Sequence, residues 1–368
     1  MFFIGTFLLN KYGLTDTAGQ VDSRSFLFSK TYSAPSAQVL GLETQNNSSL
    51  TEIENLSNRL EELRLYKMKN FCKVLAINEY AGQNAQNIIT AYKKTDSDIL
   101  LSKMIHATEI KLAENAEYTL ASQKCDGLTK SDSTPDLLAT SLPLSNELSV
   151  YIWSQDDVGK ALEEATVKDK EVIDKAAKIA GVEPRMLVAA MYAEQTRMWR
   201  TQRGLFKQYL APLKILASAN QFSLGVMGIK PKTAEEIEAH LKDPLSPYYL
   251  GVENEHLLNF STGDIAKERY NRLAHPTDHV YSFLYGAILI KQIEKQWADA
   301  GYPIDYRPDI VSTLYNIGFK HSNPGPNPQA GGATMNISGT TYTYGALSYE
   351  FYYSGNLQNE FPFHTNTK

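Results

Sequence analysis

Pro184-Arg185-Met186-Leu187-Val188-Ala189-Ala190-Met191-Tyr192-Ala193-Glu194-Gln195 reads as one helix that closes on a carboxylate. Gly181 suits the end of a preceding helix, and Pro184 suits the first turn of the next, where its missing N–H is not needed. Leu187, Met191 and Glu194 follow at i, i+4 and i+7, so Glu194 shares a stripe with apolar residues. Burial on such a stripe favours the neutral form of a carboxyl group, which is what a general acid needs at neutral pH. The structural alternative is a Glu at a frayed helix end, reaching water. Outward from this stretch the helical pattern continues, with helices expected near 157–180, 184–197, 204–218, 233–241, 277–300 and 308–317. The fold class is therefore mainly α.

Four segments are expected. Residues 1–48 are rich in Ser, Thr, Gly, Asn and Gln and read as irregular; residues 49–147 read as a helical N-terminal domain and linker. Ser49-Leu50-Thr51-Glu52 resembles a capping box. Ile53, Leu56, Leu60 and Leu63 then repeat at 3–4–3 spacing, which suits packing against the next helix better than a coiled coil of so few heptads. Helices continue through 80–122, with one running from Ile99 to Ala121, and 123–147 has linker composition. Residues 148–322 form the candidate catalytic domain. Residues 323–368, rich in Tyr, Gly and Pro, form an extension that packs on it, with strand-like alternation over Thr340–Tyr344. Cys72 and Cys125 permit one disulfide or two buried thiols, and spacing does not choose between them.

Two further motifs bear on function. Phe222-Ser223-Leu224-Gly225-Val226-Met227-Gly228-Ile229-Lys230-Pro231-Lys232-Thr233-Ala234 is a glycine-punctuated turn leading into a helix start. Thr313-Leu314-Tyr315-Asn316-Ile317-Gly318 ends a helix at a glycine, with Tyr315 and Asn316 in its last turn. Taken in order, the three motifs resemble those of the lysozyme-like family of soluble lytic transglycosylases, over about residues 168–322. Glu194 matches that family's catalytic Glu. Gly225, Val226 and Met227 match its Gly-Leu-Met, and Ile229, Pro231, Thr233 and Ala234 match the sequel. Tyr315, Asn316 and Gly318 match Tyr-Asn-x-Gly, and His279–Leu289, with Gly286 at a small-residue position, looks like the central helix. Gln195 stands where the family has Ser, and Gly228 where it has Gln.

The resemblance implies cleavage of the MurNAc–GlcNAc bond of peptidoglycan glycan strands, with Glu194 as acid and then base and a 1,6-anhydromuramyl product. It implies Tyr315 as a holder of the acid, and Gln195, Ser223, Gly225, Val226, Met227, Gly228 and Asn316 as substrate contacts. The alternatives are a hydrolytic muramidase, which needs a second carboxylate, and a lysozyme-like module that binds glycan or a partner without cutting. Asp243, Asp264, Asp305, Asp309, Glu235, Glu236 and Glu238 are the candidates for that second carboxylate, and none has a distinctive context.

A formal net charge of −5 gives no global basic footprint for nucleic acid. Arg197, Arg200, Arg203, Lys207, Lys214, Lys230 and Lys232 nevertheless run without an intervening acid, a rim suited to the carboxylates of peptidoglycan or a solvated helix face. Arg197 and Arg200 are near enough in sequence to stabilise ionised Glu194. His275 and His279 are four apart, but Pro276 places His275 outside the helix. No metal and no cofactor are expected. The resemblance implies a periplasmic or secreted protein, and a secretion or cell-envelope complex is a further candidate partner. Met1–Leu9 is apolar without a preceding basic residue, a poor signal peptide and too short to span a bilayer.

Overall fold

The computed structural model describes residues 49–133, 149–200 and 225–364. The expected irregular segment 1–48, most of the expected linker, the expected helix 204–218 and Ser223 lie outside the described residues. The fold is mainly α: twelve helices and one two-stranded sheet among the described residues. None of these helices is long and apolar enough to cross a membrane. The described residues divide into two compact units, with the boundary after Tyr151.

The first unit holds α1 (Ser49–Tyr80), α2 (Gly82–Thr95), α3 (Asp98–Leu112) and α4 (Ala116–Asp126). Helix α1 packs against the other three. Its C-terminal half supplies the core, with Val74 and Ile77 fully buried beside Ile88, Leu101 and Met104. The expected helix from Ile99 to Ala121 is two helices. Asn115 interrupts it, its side chain accepting from the Tyr118 N–H at 3.0 Å as the cap of α4. The expectation that Leu56, Leu60 and Leu63 pack on the next helix is not met: they are about half exposed. Cys72 and Cys125 form a disulfide joining α1 to α4. Tyr353–Gln358 also belongs to this unit, through Asn87 Nδ2 donating to the Ser354 carbonyl and Gln358 Nε2 donating to that of Asn87.

The second unit comprises residues 152–352 and 359–364. Its helices are α5 (Asp157–Lys168), α6 (Lys170–Ala180), α7 (Pro184–Arg200), α8 (Pro231–Leu241), α9 (Ile265–Leu273), α10 (Val280–Asp299), α11 (Pro308–Ile317) and, with its last residue in the first unit, α12 (Tyr344–Tyr353). The sequence placed one helix over 157–180. Asp169 leaves helical geometry there, ends α5, begins α6, and bonds His279 Nδ1 through its side chain at 2.6 Å. Helix α10 is the centre of this unit, buried from Ser282 through Ile290, with α6, α7, α8, α9 and α11 around it. Gly286 is small because Met227 packs onto it; a Cβ there would stand 2.6 Å from the Met227 methyl.

The C-terminal extension is an antiparallel hairpin, β1 (Thr334–Ile337) and β2 (Thr340–Thr343), followed by α12. Tyr349, Phe351, Tyr352 and Tyr353, which show no helical pattern in the sequence, lie on α12. The segment is buried nearly all round, so its sequence shows no amphipathic period. Arg185, fully buried on α7, holds the end of α12. Its guanidinium donates to the carbonyls of Tyr352 (2.9 Å), Phe361 (3.0 Å) and Phe351 (3.2 Å) and lies 4.2 Å over the Phe363 ring. A cation at the carbonyl end of a helix also complements its dipole.

Candidate functional site

Helix α7 is buried from Arg185 through Glu194, and this determines where the Glu194 carboxyl can go. Glu194 is 3% exposed. Its environment is less apolar than the stripe suggested. One turn further along α7, Arg197 sets its guanidinium against the carboxylate, with Nη2 2.7 Å from Oε1 and Nε 3.2 Å from Oε2. The i, i+3 spacing brings the two side chains together, and the planar fork matches both oxygens. The carboxylate also lies against Gly228. That residue has φ +62, and a Cβ there would stand 2.1 Å from Glu194 Oε1. The turn is held by Gly228 N–H donating to the Gly225 carbonyl at 3.2 Å. A glutamine here, as the resembling family has, would occupy the space of the Glu194 carboxyl.

Tyr315 and Asn316, in the last turn of α11, reach the same place. With Glu194, Arg197, Gly228, Ile229, Lys230, Thr233 and Gly318 they line a small polar cleft of about 70 Å³. Tyr315 holds the turn rather than the acid: its hydroxyl donates to the Met227 carbonyl at 2.6 Å. Burial, with the Glu194 charge adding to it, pushes the Tyr315 hydroxyl well above its ordinary value, so it remains a neutral donor. Asn316 is partly committed, its Oδ1 accepting from the Ala333 N–H at 2.8 Å. Behind Tyr315 stands Tyr344 of the C-terminal extension, its ring stacked at 6.5 Å and its hydroxyl donating to the Ala190 carbonyl at 2.8 Å.

The other expected contacts lie elsewhere. Gln195 points away from the cleft, its Nε2 donating to the Val226 carbonyl. Gln195 and Val226 instead line a separate, mostly apolar cavity of about 320 Å³ with Val158, Leu162, Met191 and Phe283. Met227 is fully buried under the turn, its N–H donating to Ser282 Oγ at 3.2 Å. Gly225 has a packing role, since a Cβ there would stand 2.0 Å from the Leu273 carbonyl oxygen. So Glu194, Gly228, Tyr315 and Asn316 converge, whereas Gln195, Gly225, Val226 and Met227 serve the scaffold or the apolar cavity.

Five of the candidate second carboxylates have other partners. Arg269 binds Glu235 at 2.8 Å and Glu238 at 2.7 Å. Asp309 pairs with Arg307 at 2.8 Å, Asp264 caps α9, and Asp243 accepts from the Leu245 N–H at 3.0 Å. His275 accepts from the Asp278 N–H at 2.8 Å, while His279 is held by Asp169. Among the described residues no group of three or more His, Cys, Asp or Glu is placed to hold a metal ion. The sequence reading missed Tyr344, whose segment carried no helical signal. It counted Lys230 only as part of a basic run, and it read Arg197 as near enough to stabilise ionised Glu194 without placing its fork on both carboxylate oxygens. Comparison of the chain with protein-family models, with curated proteins and with solved structures finds no match.

Proposed function

We propose that this chain cleaves the glycan strands of peptidoglycan, with Glu194 as the acid and then the base. The observation that carries this reading is convergence. Three motifs far apart in the chain, each with residue types of the soluble lytic transglycosylases, supply Glu194, Ile229, Thr233, Tyr315 and Asn316 to one cleft. In the reaction, Glu194 gives a proton to the glycosidic oxygen as the bond to the muramyl C1 breaks. As carboxylate it then takes the proton of the muramyl C6 hydroxyl, whose oxygen closes on C1. Glu194 is the one acidic residue among the described residues lining the cleft, which favours this intramolecular closure over attack by a water that a second carboxylate would activate.

A second reading, glycan binding without cleavage, is favoured by the Arg197 fork on both oxygens of Glu194. The cleft, at about 70 Å³, is also well below the roughly 300 Å³ at which ligand sites begin. The test is turbidity loss of purified peptidoglycan with wild type and Glu194→Gln, followed by mass spectrometry of soluble fragments. Cleavage by wild type that is lost in Glu194→Gln supports the enzyme, with anhydro-muramyl ends marking transglycosylation and reducing ends hydrolysis. Binding to the sacculus with no fragments released favours the second reading and refutes the first.

A further inference from the structure

The acid of this cleft is already paired, and its pairing constrains what can bind. Arg197 is itself buried, its side chain 9% exposed, and it lines the cleft, so a ligand reaches it through that opening. Lys230 lines the same cleft. The Glu194 carboxyl also lies against Gly228, where a Cβ would stand 2.1 Å from its Oε1. Glu194 can therefore engage a substrate only by parting from Arg197 toward the cleft. Parting a buried guanidinium from its counter-charge is strongly unfavourable unless another anion replaces it. A planar fork selects a carboxylate for that replacement.

We propose that Arg197 is a carboxylate-binding residue: the site takes a saccharide that carries a carboxylate, which displaces Glu194 from the Arg197 guanidinium and so frees Glu194 to act. This rests on the glycan reading above and names the chemical class within it. On a muramyl glycan the carboxylate can be that of the lactyl group or of a stem peptide.

Calorimetric titrations with two matched pairs test it. One pair is the GlcNAc–MurNAc disaccharide and its lactyl methyl ester. The other is the disaccharide-tetrapeptide and the same compound with its carboxyls methylated. Wild type is expected to bind the acid of at least one pair about tenfold more tightly than its ester, and the pair that shows the preference identifies the source. Glu194→Gln is expected to widen that gap about tenfold further, because the competing carboxylate is gone while Arg197 remains. Arg197→Met is expected to close it. Since Glu194→Gln predicts a gain, a variant that merely unfolds cannot imitate it. Equal affinities for acid and ester in both wild type and Glu194→Gln overturn the inference. If wild type still releases fragments in that case, the inference alone falls and the cleavage reading stands. A preference without fragments leaves the carboxylate site and refutes cleavage.

Discussion

Replacing Glu294 by Gln should convert a pH-dependent stability into a nearly flat one. Glu294 lies on α10 with 7% exposure. Burial raises its carboxyl from the ordinary 4.5 to about 8; Lys291, 3.9 Å away, opposes the rise, and Asp305 and Glu183 add to it. The folded chain thus holds this proton more tightly than the unfolded chain. The stabilisation is complete below about 4.5 and is lost as the pH climbs through about 8. At about 1.4 kcal/mol per tenfold change in proton affinity, the interval from 4.5 to about 8 corresponds to about 5 kcal/mol as an upper bound. Gln reproduces the neutral carboxyl and does not ionise. Wild type and variant should therefore match within about 1 kcal/mol at pH 5, and the variant should be about 2–5 kcal/mol more stable at pH 9. Urea unfolding read by tryptophan fluorescence suits the measurement, because Trp153, Trp199 and Trp297 all belong to the second unit. Other titrating groups cancel in the difference between the two proteins. A difference that stays constant from pH 5 to pH 9 refutes the reasoning.

Gly228→Ala should lose about 1–2 kcal/mol from its left-handed backbone and about 1–3 kcal/mol from overlap with Glu194. Urea unfolding reads the loss, and unchanged stability would show that the turn does not rest on the carboxyl. Reducing the Cys72–Cys125 bond, which spans 53 residues, should cost the first unit up to about 4 kcal/mol. Circular dichroism should report that loss while the fluorescence transition of the second unit stays in place. A fluorescence transition that moves with it would show that the two units unfold together.

Most helices were legible because each buries one face and leaves a period of 3.6 in its sequence. The departures have local causes. Asp169 ends one helix by its backbone geometry and Asn115 caps the start of another with its side chain, which a hydrophobic pattern does not register. Helix α12 failed the opposite way: Tyr344, Leu347, Phe351 and Tyr352 are buried together with Ser348 and Glu350, so no polar face remains to reveal a period. Within the site, Glu194 stood out because a carboxylate on an apolar stripe is anomalous whatever surrounds it. Gln195 and Asn316 did not declare their partners, the Val226 carbonyl and the Ala333 N–H, since both depend on tertiary contacts.

The Arg185 cage has a consequence for biosynthesis. The three carbonyls that receive its guanidinium come from residues 166, 167 and 176 positions later in the chain. While a ribosome is still adding those residues, these three acceptors are absent, and burying the Arg185 guanidinium without them is costly. Seating of the helix bearing Glu194 is therefore favoured once Phe361 has been translated, which ties completion of the cleft to the end of its unit.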